Sequence, residues 1–160
     1  EILVTRKSVP FAKAFCIKAI LAGGILPHRL GLSESVLVFA QHRSLFPDDA
    51  SFRHALARVK ARCVEKKLVV EADSSEEAQA LLRLGVDVVQ LDKCRPHHIK
   101  ELVAWKQTHY PHATLLAAGG IGLENVRQYA ATGVEGLVTS APYQAGMADL
   151  GASLTPLPAS

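Results

Sequence analysis

The stretch from Lys67 to Lys93, KLVVEADSSEEAQALLRLGVDVVQLDK, constrains the fold more than any other part of the sequence. It contains two runs rich in β-branched residues, LVVEA and VDVVQLD, as expected of strands that are buried on both faces. Between them, Ser74 and Glu77 have the spacing of a capping box, and Gly85 stands where a glycine ends a helix. The stretch therefore predicts a strand–helix–strand unit.

Each of these two predicted strands carries a carboxylate near its C-terminal end. Glu71 lies at the end of the first strand, and Asp92 lies at the end of the second. A right-handed crossover between parallel strands places both C-terminal ends on the same rim, so we expect Glu71 and Asp92 to face one mouth. Barrels and open sheets of the α/β class place their active sites at this rim.

The rest of the chain repeats the alternation of strand and helix. Candidate strands lie at 2–5, 36–39, 68–72, 86–92, 114–118 and 136–139, and candidate helices at about 10–22, 47–64, 74–84, 96–109 and 123–131. The segment 27–32 is predicted to be irregular or a short edge piece. Six strands joined by helices predict one α/β domain over residues 1–160, an open or incomplete parallel barrel. Because the chain begins without methionine, directly at a strand, we expect a C-terminal part of a longer protein.

Composition narrows the possible functions. The 160 residues are 49% hydrophobic and 21% charged, which is typical of a soluble globular domain. A net charge of +3, without a basic tract, argues against nucleic-acid binding, and no apolar run is long enough to span a membrane. The three cysteines are scattered, with no CxxC pair, which favours a reducing compartment and predicts a cytoplasmic protein.

Basic, acidic and glycine residues follow or flank the predicted strands at the expected rim. Arginine binds planar carboxylates and phosphates, glycine leaves backbone N–H groups accessible to phosphate, and a helix after the glycines would add its positive end. Two carboxylates beside phosphates suit Mg²⁺. The pattern predicts a site for an anionic small molecule and a metal-bound polyphosphate. In chain order the rim residues are Arg6, Lys7, His28, Arg29, His42, Arg43, Glu71, Asp92, Gly119, Gly120, Ser140 and Ala141.

Simpler interpretations are open for several of these groups. The turn TRKS is equally consistent with a solvated surface, Asp92 with a cap on the following helix, and Gly119-Gly120 with a tight turn. Asp73 is predicted to start a helix, and Cys94 to be structural. Four histidines match no metal-binding motif and are predicted to lie at the surface: His97, His98, His109 and His112.

Five segments, in this order and spacing, resemble the C-terminal barrel domain of quinolinate phosphoribosyltransferase (nicotinate-nucleotide pyrophosphorylase): TRKS, GGILPHRLGL, VVEADS, VVQLD and AAGGIGLENVRQYAATGVEGLVTSA. The segments LAGGILPHRLGLSESVLVFAQHR and TSAPYQA are more similar to the ModD branch, which is associated with molybdenum transport genes. The resemblance covers nearly the whole chain. It implies a type II phosphoribosyltransferase fold, in which an open barrel of roughly seven strands follows an N-terminal α/β sandwich domain.

The resemblance implies transfer of phosphoribose from phosphoribosyl pyrophosphate to the ring nitrogen of an aromatic acid, with Mg²⁺ and release of pyrophosphate. It also implies a homodimer in which the partner's N-terminal domain completes each site. The implied catalytic residues are Lys7, Glu71 and Asp92, the two carboxylates binding Mg²⁺ through the pyrophosphate. The implied acid-binding residues are Arg6, His28 and Arg29, and the implied 5′-phosphate site is the backbone around Gly119, Gly120, Ser140 and Ala141.

The sequence departs from the quinolinate pattern at three positions. Pro27 replaces an asparagine, Phe39 replaces a lysine that contacts the substrate's carboxylates, and Gln144 replaces a histidine near the phosphate. The donor half of the site is therefore expected to be kept, and the acid-binding half to be altered around Phe39. Two alternatives are a non-catalytic small-molecule or anion-binding paralogue in molybdenum handling, and another phosphate-binding barrel enzyme such as an isomerase or aldolase.

Overall fold

A computed structural model describes residues 1–5, 13–31, 33–146 and 149–155. The strands are β1 (Ile2–Thr5), β2 (Leu26–His28), β3 (Val36–Val38), β4 (Leu68–Ala72), β5 (Val88–Asp92), β6 (Thr114–Ala118) and β7 (Gly136–Thr139). The helices are α1 (Lys13–Ala22), α2 (Ala40–Arg43), α3 (Asp49–Arg62), α4 (Ser75–Arg83), α5 (Pro96–His109) and α6 (Val126–Ala130), with a 3₁₀ turn at Ala141–Tyr143.

The seven strands form one parallel sheet in the order β2-β1-β7-β6-β5-β4-β3. Strands β2 and β3 are consecutive in the chain yet lie at opposite edges, so the sheet is an unclosed barrel. Its curvature brings His28 of β2 within hydrogen-bond distance of Gln90 of β5, although three strands separate β2 from β5 in the sheet. The predicted open parallel α/β barrel is confirmed.

The predicted number of six strands is wrong because the segment from Leu26 to His28 forms an additional edge strand. It pairs with β1 in parallel register, with Val4 opposite Pro27 and Thr5 opposite His28. Proline has no N–H to donate to a sheet, and an edge strand is where this loss is tolerated. Of the two predictions for this segment, irregular or a short edge piece, the structure shows the second; three residues around a proline carry too little strand signal to decide between them.

Two apolar layers hold the sheet. Alternate residues of each strand point toward the helices and form the main core with Phe52 and Leu56 of α3, Leu81 and Leu82 of α4, and other buried side chains. The opposite faces point into the barrel, where a smaller cluster comprises Val69, Val88, Leu116, Ala118 and Val138, with Leu3 and Leu37 against it. The same alternation places Glu71 above Val69, and Gln90 and Asp92 above Val88, on the inner face.

The strand–helix–strand unit between Lys67 and Lys93 is confirmed. The Ser74 hydroxyl accepts a hydrogen bond from the Glu77 backbone N–H at 3.3 Å, as predicted for a helix cap. Gly85 has a φ of +82°, which a side chain would strain, and it ends α4. Helix α4 is amphipathic and buries Ala78, Leu81 and Leu82 against the sheet.

The structure adds one helix and shifts the start of another. The four-residue helix α2 was not predicted, because its AQHR sequence is too short to show a helical period. Helix α6 begins at Val126 instead of about residue 123. The predicted start of α1 near Pro10 lies outside the described residues. None of the helices in the described part of the chain is long and apolar enough to cross a membrane.

Two similar clamps fix the N-terminal ends of the strands. Asp87, just before β5, accepts hydrogen bonds from Lys60 Nζ of α3 at 2.5 Å and from the Leu68 backbone N–H of β4 at 2.8 Å. Glu135, just before β7, accepts in the same way from Lys106 of α5 and from the Leu115 backbone N–H. Each carboxylate thus joins a helix to the start of the neighbouring strand, on the side of the barrel away from the rim.

Replacing Asp87 with asparagine is expected to lower the free energy of unfolding at pH 7 by about 1–2 kcal/mol, since a hydrogen bond to a charged group is lost. Burial alone would raise the pKa of Asp87, but the bonds from Lys60 and Leu68 and the charges of Lys60 and Lys67 outweigh it and lower the pKa. A lowered folded-state pKa stabilises the fold above the unfolded pKa of about 3.9, and this contribution disappears as the pH falls further.

Urea unfolding of wild type and Asp87→Asn between about pH 7 and pH 3 measures this difference. The stability gap between the two proteins should shrink below about pH 4. Glu101→Gln, at an exposed carboxylate of α5, serves as the control and should show little gap at any pH. A gap for Asp87→Asn that does not depend on pH would contradict the electrostatic account.

Candidate active site

A cavity of about 620 Å³ opens at the C-terminal ends of β3, β4 and β5. Glu71 and Asp92 both line it, as the strand–helix–strand unit predicts. Phe39, at the end of β3, lines it from the side. The remaining lining residues are Ala40, Arg43, Phe52, Val70, Ala72, Asp73, Ser74 and Glu77.

Glu71 is held by hydrogen bonds to both of its carboxylate oxygens. Oε2 accepts from the Ala40 backbone N–H at the start of α2, at 3.3 Å, and Oε1 accepts from Gln90 Nε2 of the neighbouring strand β5, at 3.4 Å. Glu71 and Gln90 are partners in the β4–β5 register, so both side chains leave the sheet on the inner face side by side. The carboxylate is therefore oriented by two elements while one side stays open to the cavity.

Asp92 ends β5 and packs against a glycine of the next strand end. Gly119 has a φ of +87°, and a Cβ on it would lie 2.6 Å from Asp92 Oδ1 and 2.8 Å from the Lys93 backbone nitrogen. The Lys93 ammonium is 3.8 Å from Asp92 Oδ2. The interpretation of Asp92 as a helix cap is wrong, because α5 begins after Arg95 and has no side-chain cap.

His28 and Arg29 leave the end of β2 in different directions. His28 Nε2 lies 3.1 Å from Gln90 Oε1, inside the barrel. Burial and, to a smaller extent, the Arg29 charge lower the pKa of His28, against the opposing effects of the Gln90 hydrogen bond and the Glu34 charge. Arg29 Nη1 donates to the Ser35 carbonyl at 2.6 Å, so one end of its guanidinium braces the loop between β2 and β3.

Phe39 presents a partly exposed ring beside the carboxylates. Its ring centroid lies 5.8 Å from that of His42, and its backbone N–H donates to His42 Nδ1 at 3.0 Å. Nearby, Arg43 is engaged with Asp49 and Glu77 and lies 5.2 Å from the Phe52 ring centroid. Arg43 therefore joins α2, the helix that follows Phe39, to α3 and α4.

The glycine side of the rim differs from its prediction in one respect. Gly120 has a φ of +70°, and a Cβ built on it would meet no atom within 4 Å, so the space above it is open. The helix predicted from about residue 123 begins at Val126, and before it Asn125 donates to the Gly120 carbonyl at 2.8 Å and accepts from the Gly122 N–H. A contribution of the positive end of this helix to a phosphate near Gly120 stays a prediction.

Ser140 and Ala141 lie after β7, at the start of the 3₁₀ turn. The Ala141 backbone N–H donates to the Thr139 hydroxyl at 3.0 Å, and that hydroxyl donates to the Ile121 carbonyl at 2.6 Å. The Ala141 N–H is thus already engaged, and any contact to a phosphate at this end would come from other backbone groups. Thr139 meanwhile ties the turn after β7 to the loop after β6.

Two of the predicted site residues, Arg6 and Lys7, lie outside the described residues. His97, His98, His109 and His112 are exposed, and the described residues contain no group of three or more metal-ligating side chains. Burial, followed by the charges of Asp73 and Asp92, raises the pKa of the Cys94 thiol, which therefore stays protonated, as suits a structural cysteine.

Gln90 is the residue that sequence reasoning missed. It is 5% exposed and contacts both His28 and Glu71. A signal was present, since Gln90 stands two residues before Asp92 in an otherwise apolar strand and must share its face. A buried amide in such a strand needs hydrogen-bond partners, which the sequence alone could not identify.

The carboxylates suit Mg²⁺ as a hard, oxygen-liganded ion. Mg²⁺ usually takes one or two protein carboxylates when substrate phosphates supply the other ligands, and Glu71 and Asp92 could provide them. Within the described residues no third ligating side chain joins them. The residues therefore fit an ion that binds together with a polyphosphate better than one held by the protein alone.

Comparison with known proteins agrees with this architecture. The family model described as "Quinolinate phosphoribosyl transferase, C-terminal domain" matches residues 1–152. The chain belongs to the quinolinate phosphoribosyltransferase family. It is 41% identical over 156 residues to the "Putative pyrophosphorylase ModD" of Escherichia coli O157:H7, which covers 98% of this chain and 55% of that protein.

More distant members give the same picture. The "Nicotinate-nucleotide pyrophosphorylase [carboxylating]" of Mycobacterium leprae is 33% identical over 137 residues, covering 86% of this chain and 47% of that protein. The solved nicotinate-nucleotide pyrophosphorylase from Francisella tularensis superposes with a TM-score of 0.74 at 24% identity, over 88% of this chain and 48% of that chain, and shares its fold. The chain thus spans about half the length of the relatives it matches.

Proposed function

We propose that this chain contributes the catalytic barrel of a pyrophosphorylase. It would transfer phosphoribose from phosphoribosyl pyrophosphate to the ring nitrogen of an aromatic acid-like molecule and release pyrophosphate. The observation that carries this proposal is the pair of carboxylates, Glu71 and Asp92, lining one cavity at the C-terminal rim of the barrel. Membership of the phosphoribosyltransferase family supports it.

The chemistry suits these carboxylates. The bond between the ribose C1′ and the pyrophosphate oxygen breaks, its electron pair leaves with pyrophosphate, and the lone pair of the ring nitrogen forms the new bond to C1′. Positive charge builds on the ribose ring in between, and carboxylates fixed beside it stabilise that charge. Glu71 is already oriented by Ala40 and Gln90, so it need not reorganise during the reaction.

In this proposal Glu71 and Asp92 hold Mg²⁺ jointly with the pyrophosphate oxygens. The bound ion would neutralise the charge of the departing pyrophosphate. The space above Gly120 would take the 5′-phosphate, together with the backbone around Gly119 and Ser140. Arg6, Lys7, His28 and Arg29 would contact the aromatic molecule, and a homodimer with the partner's N-terminal domain would complete the site.

Calorimetric titration of phosphoribosyl pyrophosphate into the complete protein tests the proposal. We expect binding in the presence of Mg²⁺ and its loss in EDTA, followed by pyrophosphate release when aromatic acids are screened. Absence of binding under both conditions would overturn the transferase proposal. It would favour the non-catalytic binder of small molecules or anions in molybdenum handling.

Phe39 is expected to influence the choice of aromatic molecule. Its ring lines the cavity beside Glu71 and Asp92, where a lysine would supply a cation. Phe39→Lys should therefore tighten binding of the dicarboxylate quinolinate about tenfold, the scale of one charge-assisted hydrogen bond. Phe39→Met, which also removes the ring but adds no charge, is the matched control in the same titration. Equal affinities of the two variants for quinolinate would show that residue 39 does not determine the choice of aromatic molecule.

A further inference from the structure

Gln90 links His28, at the end of β2, to the cavity carboxylate Glu71 across the barrel interior. Its Oε1 lies 3.1 Å from His28 Nε2 at the end of β2, and its Nε2 donates to Glu71 Oε1 at 3.4 Å. Gln90 is 5% exposed, so water does not compete freely for its amide. The chain of contacts runs from His28 through Gln90 and Glu71 to the Ala40 backbone N–H.

Glu71 sets the direction of the hydrogen bonds that connect it through Gln90 to His28. An ionised carboxylate only accepts hydrogen bonds, so the Gln90 amide must turn its NH₂ group toward Glu71. The carbonyl oxygen of the amide then faces His28. An oxygen offers no proton, so His28 must donate from Nε2 to complete the contact.

This arrangement determines what the other ring nitrogen of His28 can do. Burial and the Arg29 charge lower the pKa of His28, which favours the neutral ring. A neutral imidazole has a single N–H, and Gln90 already takes it at Nε2. The Nδ1 atom is then a hydrogen-bond acceptor, and a carboxylate next to it would bring two acceptors together.

We propose that Gln90 is a positioning residue that locks His28 in its Nε2–H form and thereby selects an aromatic substrate whose ring bears a hydrogen-bond donor, such as an amide or amino group, where His28 meets it. This inference rests on the proposed function. It replaces the expectation that His28 holds a carboxylate, and it agrees with the missing cation at Phe39. The dicarboxylate quinolinate would then meet neither a cation at position 39 nor a hydrogen-bond donor on His28.

Nuclear magnetic resonance of the complete protein, labelled with ¹⁵N in histidine, tests the lock without any substrate. At about pH 8 we expect a directly observed Nε2–H signal from His28 that exchanges slowly with water, identified by its loss in His28→Gln. Gln90→Met, which keeps the volume but removes the amide, should abolish the slow exchange. Gln107→Met, the same change at an exposed position of α5, should leave the signal unchanged.

A wild-type spectrum can overturn the lock by itself, so the proposal can be contradicted even if Gln90→Met fails to fold. A proton on Nδ1 in wild type would overturn the proposal. So would an Nε2–H signal that exchanges equally fast in wild type and in Gln90→Met. Neither result depends on phosphoribosyl pyrophosphate binding, which separates this test from that of the proposed function.

Binding of two matched rings tests the selection. The probes are pyridine-3-carboxamide and pyridine-3-carboxylate, titrated in the presence of phosphoribosyl pyrophosphate and Mg²⁺. Relative to wild type, Gln90→Met should shift the ratio of the two dissociation constants at least about fivefold toward the carboxylate, because an unlocked His28 can turn a donor toward it. An unchanged ratio, or no binding of either ring to a protein that binds phosphoribosyl pyrophosphate, would overturn the selection.

Discussion

Replacing Glu71 with glutamine or Asp92 with asparagine is expected to lower the turnover of the complete protein at least about a hundredfold. Both side chains line the cavity at the rim, and each substitution removes a negative charge while nearly keeping the shape. Charge develops on the ribose mainly in the transition state. Turnover should therefore fall, and the affinity for phosphoribosyl pyrophosphate should fall as well, because the same carboxylates would hold the Mg²⁺ that its binding requires.

The measurement is the steady-state rate of pyrophosphate release, with the Michaelis constant for phosphoribosyl pyrophosphate determined in parallel. Glu76→Gln provides the matched control, since Glu76 is an exposed carboxylate in the first turn of α4 and does not line the cavity. Its turnover should stay close to wild type. Wild-type turnover in both Glu71→Gln and Asp92→Asn would remove the carboxylates from the proposed mechanism.

The substitution Glu71→Gln should also weaken the hydrogen bonds that Glu71 makes with Ala40 and Gln90. Glutamine at position 71 carries an NH₂ group, which would face either the Ala40 N–H or the Gln90 amide, both of which are donors. One of the two contacts must be lost or the Gln90 amide must turn over. Turning it over would also disturb His28, so Glu71→Gln should affect binding of the aromatic substrate more than Asp92→Asn does.

The parts of the fold that the sequence predicted are those set by local chemistry. The runs LVVEA and VDVVQLD are typical of strands buried on both faces of a parallel sheet, and Ser74 and Gly85 mark the two ends of α4. These local signals, with the rule for parallel crossovers, placed Glu71 and Asp92 at one mouth. No knowledge of distant contacts was needed for this step.

The missed features depend on residues far apart in the chain. Strand β2 exists because β1 pairs with it, and its three residues include a proline that breaks any strand pattern. The role of Gln90 depends on His28, which is 62 positions away and meets it only because the sheet curls. Such contacts are consequences of the completed barrel.

Replacing Gly119 with alanine is expected to lower both stability and turnover. Its φ of +87° already disfavours a side chain, and the new Cβ would lie 2.6 Å from Asp92 Oδ1 and from Lys93 Cγ. The Lys93 backbone nitrogen, 2.8 Å away, cannot withdraw, because its N–H is bonded to the Ala118 carbonyl in the sheet. The Asp92 carboxylate must therefore move, and turnover should fall at least about tenfold.

Gly85→Ala separates backbone strain from displacement of Asp92. Gly85 has a similar φ of +82°, but a Cβ there would meet no atom within 4 Å, and the residue lies at the end of α4 away from the cavity. Both variants should lose about 1 kcal/mol of stability from backbone strain. Gly119→Ala should lose about 1–3 kcal/mol more from overpacking.

Urea unfolding and turnover of the two alanine variants distinguish the effects. If Gly119 matters only as a turn residue, both variants will show the same loss of stability and both will keep wild-type turnover. If Gly119 holds Asp92 in place, only Gly119→Ala will lose turnover, and Asp92→Asn will add little further loss to it. Non-additivity of this kind is expected when two changes act on one carboxylate, because the second removes a charge that the first has already misplaced.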